Sequence, residues 1–177
     1  GRTFKEAFQK GLRSLEMGSD DSFWEGAEMK DPVRIREKLI TPTRERLMAV
    51  RSAMHLGMPL QEIAELSRID PWFLEKIHEI LLFEDGLATR RLEDLTPEIL
   101  REAKRSGFSD RRIAKLVSSG EDEVRGRRRK HGILPIYKRV DTCGAEFEAK
   151  TPYLYSTYEK ECEASPTSRR KVMILGS

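Results

Sequence analysis

The sequence predicts an all-α protein: an orthogonal helical bundle built from two similar helical units, followed by an extended segment and one terminal β-strand. Three observations carry this expectation. Apolar residues recur at spacings of three and four through most of the stretch from Phe4 to Ile133. Capping residues stand before prolines at Asp31-Pro32, Thr41-Pro42, Asp70-Pro71 and Thr96-Pro97, a pairing that starts helices because proline fits the first turn. The series Gly57, Ile63, Ala64, Leu66 returns as Gly107, Ile113, Ala114, Leu116, and this offset of 50 residues points to duplicated units.

Thr3 caps a first helix reaching about Met17, with Phe4, Phe8, Leu12 and Leu15 on one face. Gly18 to Lys30 is polar and turn-rich, and Phe23 and Trp24 suggest that it docks on a surface. A helix starts at Pro32. The helix after Thr41 presents Leu47, Val50 and Met54 inward and ends at Gly57. A shorter helix follows Pro59 and buries Ile63, Ala64 and Leu66. Asp70-Pro71 opens the most apolar helix, whose expected core residues are Trp72, Phe73, Ile77 and Ile80, widened by Leu74 and Leu81. Glu84 is next in that series, so the buried stripe is expected to stop there. Thr96 starts a helix carrying Ile99, Leu100 and Ala103 to Gly107, and Ser109 caps another with Ile113, Ala114, Leu116 and Val117. Each unit buries one face, so two units packed together is the simplest architecture. From Leu134 the helical period is lost. Tyr137 to Glu163 has little helical period, Lys138 to Phe147 within it reads as extended chain or loop, and Lys171 to Leu175 reads as a parallel-type strand.

The 177 residues allow one ordinary domain, or one domain with pieces of its neighbours. Hydrophobic content of 38%, charge of 36% and aromatic content of 7% fit a soluble, helix-rich chain. A net charge of +3 from 33 basic and 30 acidic residues places any nucleic-acid contact on a local patch. That patch holds Arg101, Lys104, Arg105, Arg111, Arg112, Lys115, Arg125, Arg127, Arg128, Arg129 and Lys130. A DNA reader would lay such side chains on phosphates. Against this, Glu121, Asp122 and Glu123 fill the first turn of the last basic helix, and Gly126 weakens its interior by about 1 kcal/mol. Acids at the start and bases at the end match the helix dipole. A solvated, dipole-matched face is the expectation, an interface comes next, and a tandem helix-turn-helix nucleic-acid-binding module is the alternative function. Arg128 falls where the spacing from Val124 calls for an apolar group.

No catalytic, cofactor-binding or metal-binding residue is expected. His55, His78 and His131 are scattered without ligand spacing. Cys143 and Cys162 lack a CxxC spacing and read as reduced thiols, and Cys143 has no base in sequence context to make it a nucleophile. Tyr153, Tyr155 and Tyr158 read as packing of an extended segment, ahead of stacking on a ligand. No apolar run approaches the roughly 18 residues that span a membrane. The chain opens without a methionine and closes on a strand meeting Gly176, so it is expected to be a piece of a longer protein.

Lys138-Arg139-Val140-Asp141-Thr142-Cys143, Ala145-Glu146-Phe147 and Tyr153-Leu154-Tyr155-Ser156-Thr157-Tyr158-Glu159 closely resemble the carbamoyl phosphate synthetase large-subunit family. Ile69-Asp70-Pro71-Trp72-Phe73-Leu74, Gly107-Phe108-Ser109-Asp110 and the opening Gly1-Arg2-Thr3-Phe4 with Gln9-Lys10 resemble it too, in the right order. The resemblance implies a large chain of two ATP-grasp halves, one making carboxyphosphate and then carbamate, the other phosphorylating carbamate. An all-helical connecting, or oligomerisation, domain lies between them.

On that basis residues 1–21 are the last helix of the first half, 22–169 the connecting domain, and 170–177 the first strand of the second half. The implied enzyme is a cytoplasmic ATP-dependent carbon–nitrogen ligase serving arginine and pyrimidine biosynthesis, using ATP and Mg (or Mn). Its implied partners are the flanking halves, a glutaminase small subunit and further copies of itself, with no nucleic acid or membrane. None of the family's nucleotide or metal motifs falls on this chain, so none of its residues is carried over as catalytic.

Overall fold

Five of the described helices begin where a side chain supplies an acceptor for the amides that a first turn leaves unpaired. A computed structural model describes residues 1–14, 29–150, 153–170 and 172. Thr3 Oγ1 accepts from Glu6 N to start α1 (Phe4–Ser14). Asp31 accepts from Val33 N ahead of α2 (Pro32–Ile40), and Asp70 from Trp72 N ahead of α5 (Pro71–Ala88). Thr96 and Ser109 do the same for α6 (Pro97–Arg105) and α7 (Asp110–Leu116). Gly120 N donates to Glu123 Oε2 at 2.7 Å to open α8 (Glu121–Lys130).

Thr41-Pro42 departs from the expectation. Thr41 closes α2, its N–H donating to Glu37 O, because a residue before proline is pushed out of the helical region. A turn at Thr43 intervenes before α3 (Arg46–His55), and α4 (Leu60–Ser67) follows.

The chain divides into two compact units, 1–133 and 134–177. In the first, the repeat seen in sequence is carried by hydrogen bonds. After α3, Gly57 N donates to Met54 O and Met58 N to Ala53 O; after α6, Gly107 N donates to Lys104 O and Phe108 N to Ala103 O. Both are Schellman turns, with the glycine left-handed at φ +76° and +98°. The ends of α4 and α7 match as well. Arg68 and Ser118, again 50 residues apart, are left-handed at φ 58° and 53°. Each unit of the repeat is therefore helix, left-handed turn, short helix, left-handed residue, third helix.

One apolar core joins Leu12, Ile35, Leu39, Val50, Ile63, Leu74, Ile77 and Leu81. The second repeat buries Leu95, Leu100, Ala103, Phe108, Ile113, Val117 and Val124. The half-buried Phe83 ring on α5 meets Phe108 at 5.7 Å. The α5 core face is rotated from the expected one. Leu74, Ile77, Ile80 and Leu81 are buried, whereas Trp72 and Phe73 are 48% and 43% exposed. Those two rings instead cluster with Phe4, at 5.4 and 5.3 Å, on the flank where α1 lies. The buried stripe also continues through Glu84 to Leu87.

The second unit holds an antiparallel pair, β1 (Ile136–Arg139) and β2 (Leu154–Thr157), with Ile136 opposite Thr157. β1 runs into the stretch read as extended chain or loop, and β2 lies beyond it. Outside β1, Glu163 N donates to Tyr137 O, and the Glu163 carboxylate accepts from Arg139 N and Lys138 Nζ. The docking of Phe23 and Trp24 falls outside the described residues, and so does the terminal strand apart from Val172.

Leu74→Ala removes a fully buried side chain and is expected to destabilise the fold by about 2–5 kcal/mol. Phe73→Ala, on the exposed flank, is expected to cost well under that. Urea midpoints of the two variants against the parent chain check the order.

Candidate functional site

Charge buried inside the bundle is the feature that composition could not place. Taking a carboxylate or guanidinium out of water costs several kcal/mol unless partners replace the lost hydration. Among the described residues Glu6 passes that test locally, through Arg2 N and Lys10 Nζ, and two further carboxylates pass it by joining different helices.

Asp110, the first residue of α7 and 7% exposed, accepts from the two helices on either side of it in sequence, α6 and α8. Lys104 Nζ on α6 donates to its Oδ1 at 2.8 Å and to Phe108 O at 2.7 Å. Arg128 Nε on α8 donates to both carboxylate oxygens, at 3.0 and 2.8 Å, and Arg128 Nη1 reaches Ile133 O. Burial pushes the Asp110 carboxyl up, but the Lys104 and Arg128 donors together outweigh it and hold it below the ordinary aspartate value of 3.8. For Lys104, burial prevails over the attraction of Asp110 and the ammonium is held below its usual value.

Glu84 on α5 is the second carboxylate. Its Oε1 accepts from Arg112 Nη2 on α7 at 2.6 Å and from Arg51 Nη2 on α3 at 3.1 Å. Residues from the two repeats thus meet on one oxygen.

The basic helix is tied down by the same chemistry. Arg125 pairs with Asp122 and Glu121, and Arg127 donates to Leu95 O and Glu93 O. The expectation of a wholly solvated face is corrected at Arg128, and outside this helix at Lys104 and Arg112: all three are buried, each facing a carboxylate. Arg101, Arg105, Arg111, Lys115, Arg129 and Lys130 stay at the surface. The missing anchor of the last helix is Arg128 itself, in the place where an apolar side chain was expected.

A third arrangement seats α1. Gln9 Nε2 donates to Ser106 O at 2.9 Å and Arg13 Nη1 to Gly107 O at 2.6 Å. A cleft of about 390 Å³ opens beside it, lined by Thr3, Lys5, Glu98, Arg101, Glu102, Arg105 and Ser106. Its lining carries three cations and two carboxylates, which leaves it no strong preference for either charge.

In the second unit Asp141 accepts from Cys143 N and Ala145 N, shaping a loop in which Gly144 and Ala145 are both left-handed. Cys143 and Cys162 carry no disulfide, and Tyr153 is 65% exposed. Among the described residues, no group of three or more His, Cys, Asp or Glu could hold a metal ion, and no helix is long and apolar enough to cross a membrane.

The family profile described as carbamoyl-phosphate synthetase large chain, oligomerisation domain, matches residues 1–132. The chain belongs to this family. It is 52% identical over 177 residues to the carbamoyl phosphate synthase large chain of Nostoc sp. strain PCC 7120, covering 99% of this chain and 16% of the relative. It is 48% identical to the Archaeoglobus fulgidus large chain, covering 100% and 17%. To the chloroplastic, arginine-specific large chain of Arabidopsis thaliana it is 47% identical, covering 99% and 15%. The chain therefore spans about a sixth of the length of the relatives it matches.

In this oligomerisation domain the buried ions hold helices together. Sequence reasoning missed Glu84 and Asp110 because their partners lie up to 33 residues away. The one local signal was the misfit of Arg128.

Because Asp110 titrates below its ordinary value, its stabilisation is complete above about pH 4 and is lost as pH falls through the folded-state value. Asp110→Asn should cost roughly 3–5 kcal/mol at neutral pH, the usual penalty for stranding buried partners. The gap in urea midpoint between parent and variant should narrow from pH 7 to pH 3.

Proposed function

We propose that the chain is the connecting segment of a carbamoyl phosphate synthetase large chain, holding its two ATP-dependent halves in fixed relation. Residues 1–21 are the last helix of the first half, 22–169 the connecting domain and 170–177 the first strand of the second half. The whole enzyme is a cytoplasmic carbon–nitrogen ligase that makes carbamoyl phosphate from bicarbonate, ammonia released from glutamine, and ATP. Its product feeds arginine and pyrimidine biosynthesis. ATP and its Mg (or Mn) ions are held by the flanking halves, and a glutaminase small subunit supplies ammonia. The segment adds surface for self-association.

The observation that carries this reading is the unbroken likeness over 99% of the chain to a sixth of each large chain. It runs past the oligomerisation profile at residue 132 and through the hairpin unit, so both units share one context. The interior supports it physically. A bundle stabilised by ions buried among several helices resists bending, because moving any helix exposes or strands a charge.

A chimera tests the reading. This chain replaces the matching segment of the Nostoc large chain, assayed with that organism's small subunit. Glutamine-dependent carbamoyl phosphate synthesis should stay within about tenfold of the parent, since contacts at a shared domain boundary tolerate substitution better than reacting centres do. Intact ATP hydrolysis with no carbamoyl phosphate would contradict it.

A further inference from the structure

The first helix touches both repeats of the bundle. At its start, Phe4 packs against Trp72 and Phe73 of α5 at 5.4 and 5.3 Å, and Lys5 pairs with Glu79 at 3.1 Å. Towards its end, Gln9 and Arg13 donate to the carbonyls of Ser106 and Gly107 in the α6–α7 turn.

The turn itself is shaped for the helix. Gly107 is left-handed at φ +98°, and a Cβ placed there would lie 2.9 Å from Glu6 Cα and 3.1 Å from Gln9 Cβ. Backbone meets backbone at that point. Gly57 occupies the equivalent turn of the first repeat, left-handed at φ +76°, and a Cβ there meets nothing within 4 Å. Turn conformation explains a glycine at both positions. The close approach of α1 explains why the second has no room.

We propose that α1 is a rigid strut, fixed at two points, through which the first synthetic half is held to the connecting domain, with Gly107 as the positioning residue of the joint. The inference rests on the reading that residues 1–21 end the first half. Its physical logic is that carbamate made in one half must reach the other before it decays in water. A helix tied to α5 and to the Gly107 turn fixes distance and direction together. A single attachment would leave the half free to pivot, and a misplacement of about 1 Å can lower a rate about a hundredfold.

The experiment compares Gly107→Ala, Gly57→Ala and the pair Gln9→Ala with Arg13→Ala in the Nostoc chimera. Three quantities are read: bicarbonate-dependent ATP hydrolysis, ATP formation from carbamoyl phosphate and ADP, and carbamoyl phosphate made per ATP consumed. Gly107→Ala and the double variant should keep the two partial reactions within about twofold while the coupling ratio falls about tenfold or more. Gly57→Ala, which strains the same kind of turn without touching α1, should leave the ratio unchanged.

Hydrogen exchange on the chain by itself reads the seat independently of function. Amides of α1 should exchange faster in Gly107→Ala than in Gly57→Ala. An unchanged ratio in both Gly107→Ala and the double variant overturns the proposal, as does a parallel fall in all three quantities, which would make α1 a folding element. If Gly107→Ala does not fold, the double variant decides on the same ratio. An unaltered chimera that makes no carbamoyl phosphate contradicts the functional reading instead, while the exchange result still stands or falls with the seat.

Discussion

Glu84 is the interaction on which the bundle depends. One carboxylate oxygen, 4% exposed as a residue, accepts from Arg112 of the second repeat and Arg51 of the first. Apolar faces alone would let two similar units slide against each other, because hydrophobic burial has little directionality. A buried charge does not permit sliding. The buried carboxylate has been taken from water at a cost of several kcal/mol, and moving either guanidinium away leaves Glu84 short of a donor. Asp110 repeats the device within the second repeat, fixing α6, α7 and α8 around one carboxylate.

The duplication supplies the frame and its asymmetries supply the specialisation. Gly57 and Gly107 close the same Schellman turn, and Arg68 and Ser118 end the following short helices in the same left-handed conformation. The two turns then part ways. Open space surrounds a Cβ at Gly57, whereas α1 lies directly on Gly107. The third helices differ too. α5 runs 18 residues with an apolar core face, and α8 runs 10 with Val124 and the paired Arg128 as its buried residues.

Much of this was legible from the residues. The proline-marked starts at Pro32, Pro71 and Pro97, the repeat of period 50 and the all-helical class follow from capping and periodicity, which are local. The cluster of Phe4, Trp72 and Phe73 was not legible, because spacing along α5 defines a stripe but not which edge of it faces the core. Glu84 was read as the end of the stripe, since nothing nearby in sequence announces Arg51 and Arg112 as its partners. The basic stretch misled for the same reason: Lys104, Arg112 and Arg128 look like surface cations until Asp110 and Glu84 are placed beside them. The hairpin of Ile136–Arg139 with Leu154–Thr157 was hidden by short strands and a long intervening loop.

If a connecting segment is to keep two synthetic halves in register, its two repeats must open and close as one body. Native-state hydrogen exchange on this chain, with and without Glu84→Gln, tests that directly. The amides of Val50, Leu81 and Ile113 should exchange at one shared free energy in the parent, and Ile113 should fall below the others in Glu84→Gln. Separate opening of the repeats in the parent, or an unchanged shared value in the variant, would contradict the account.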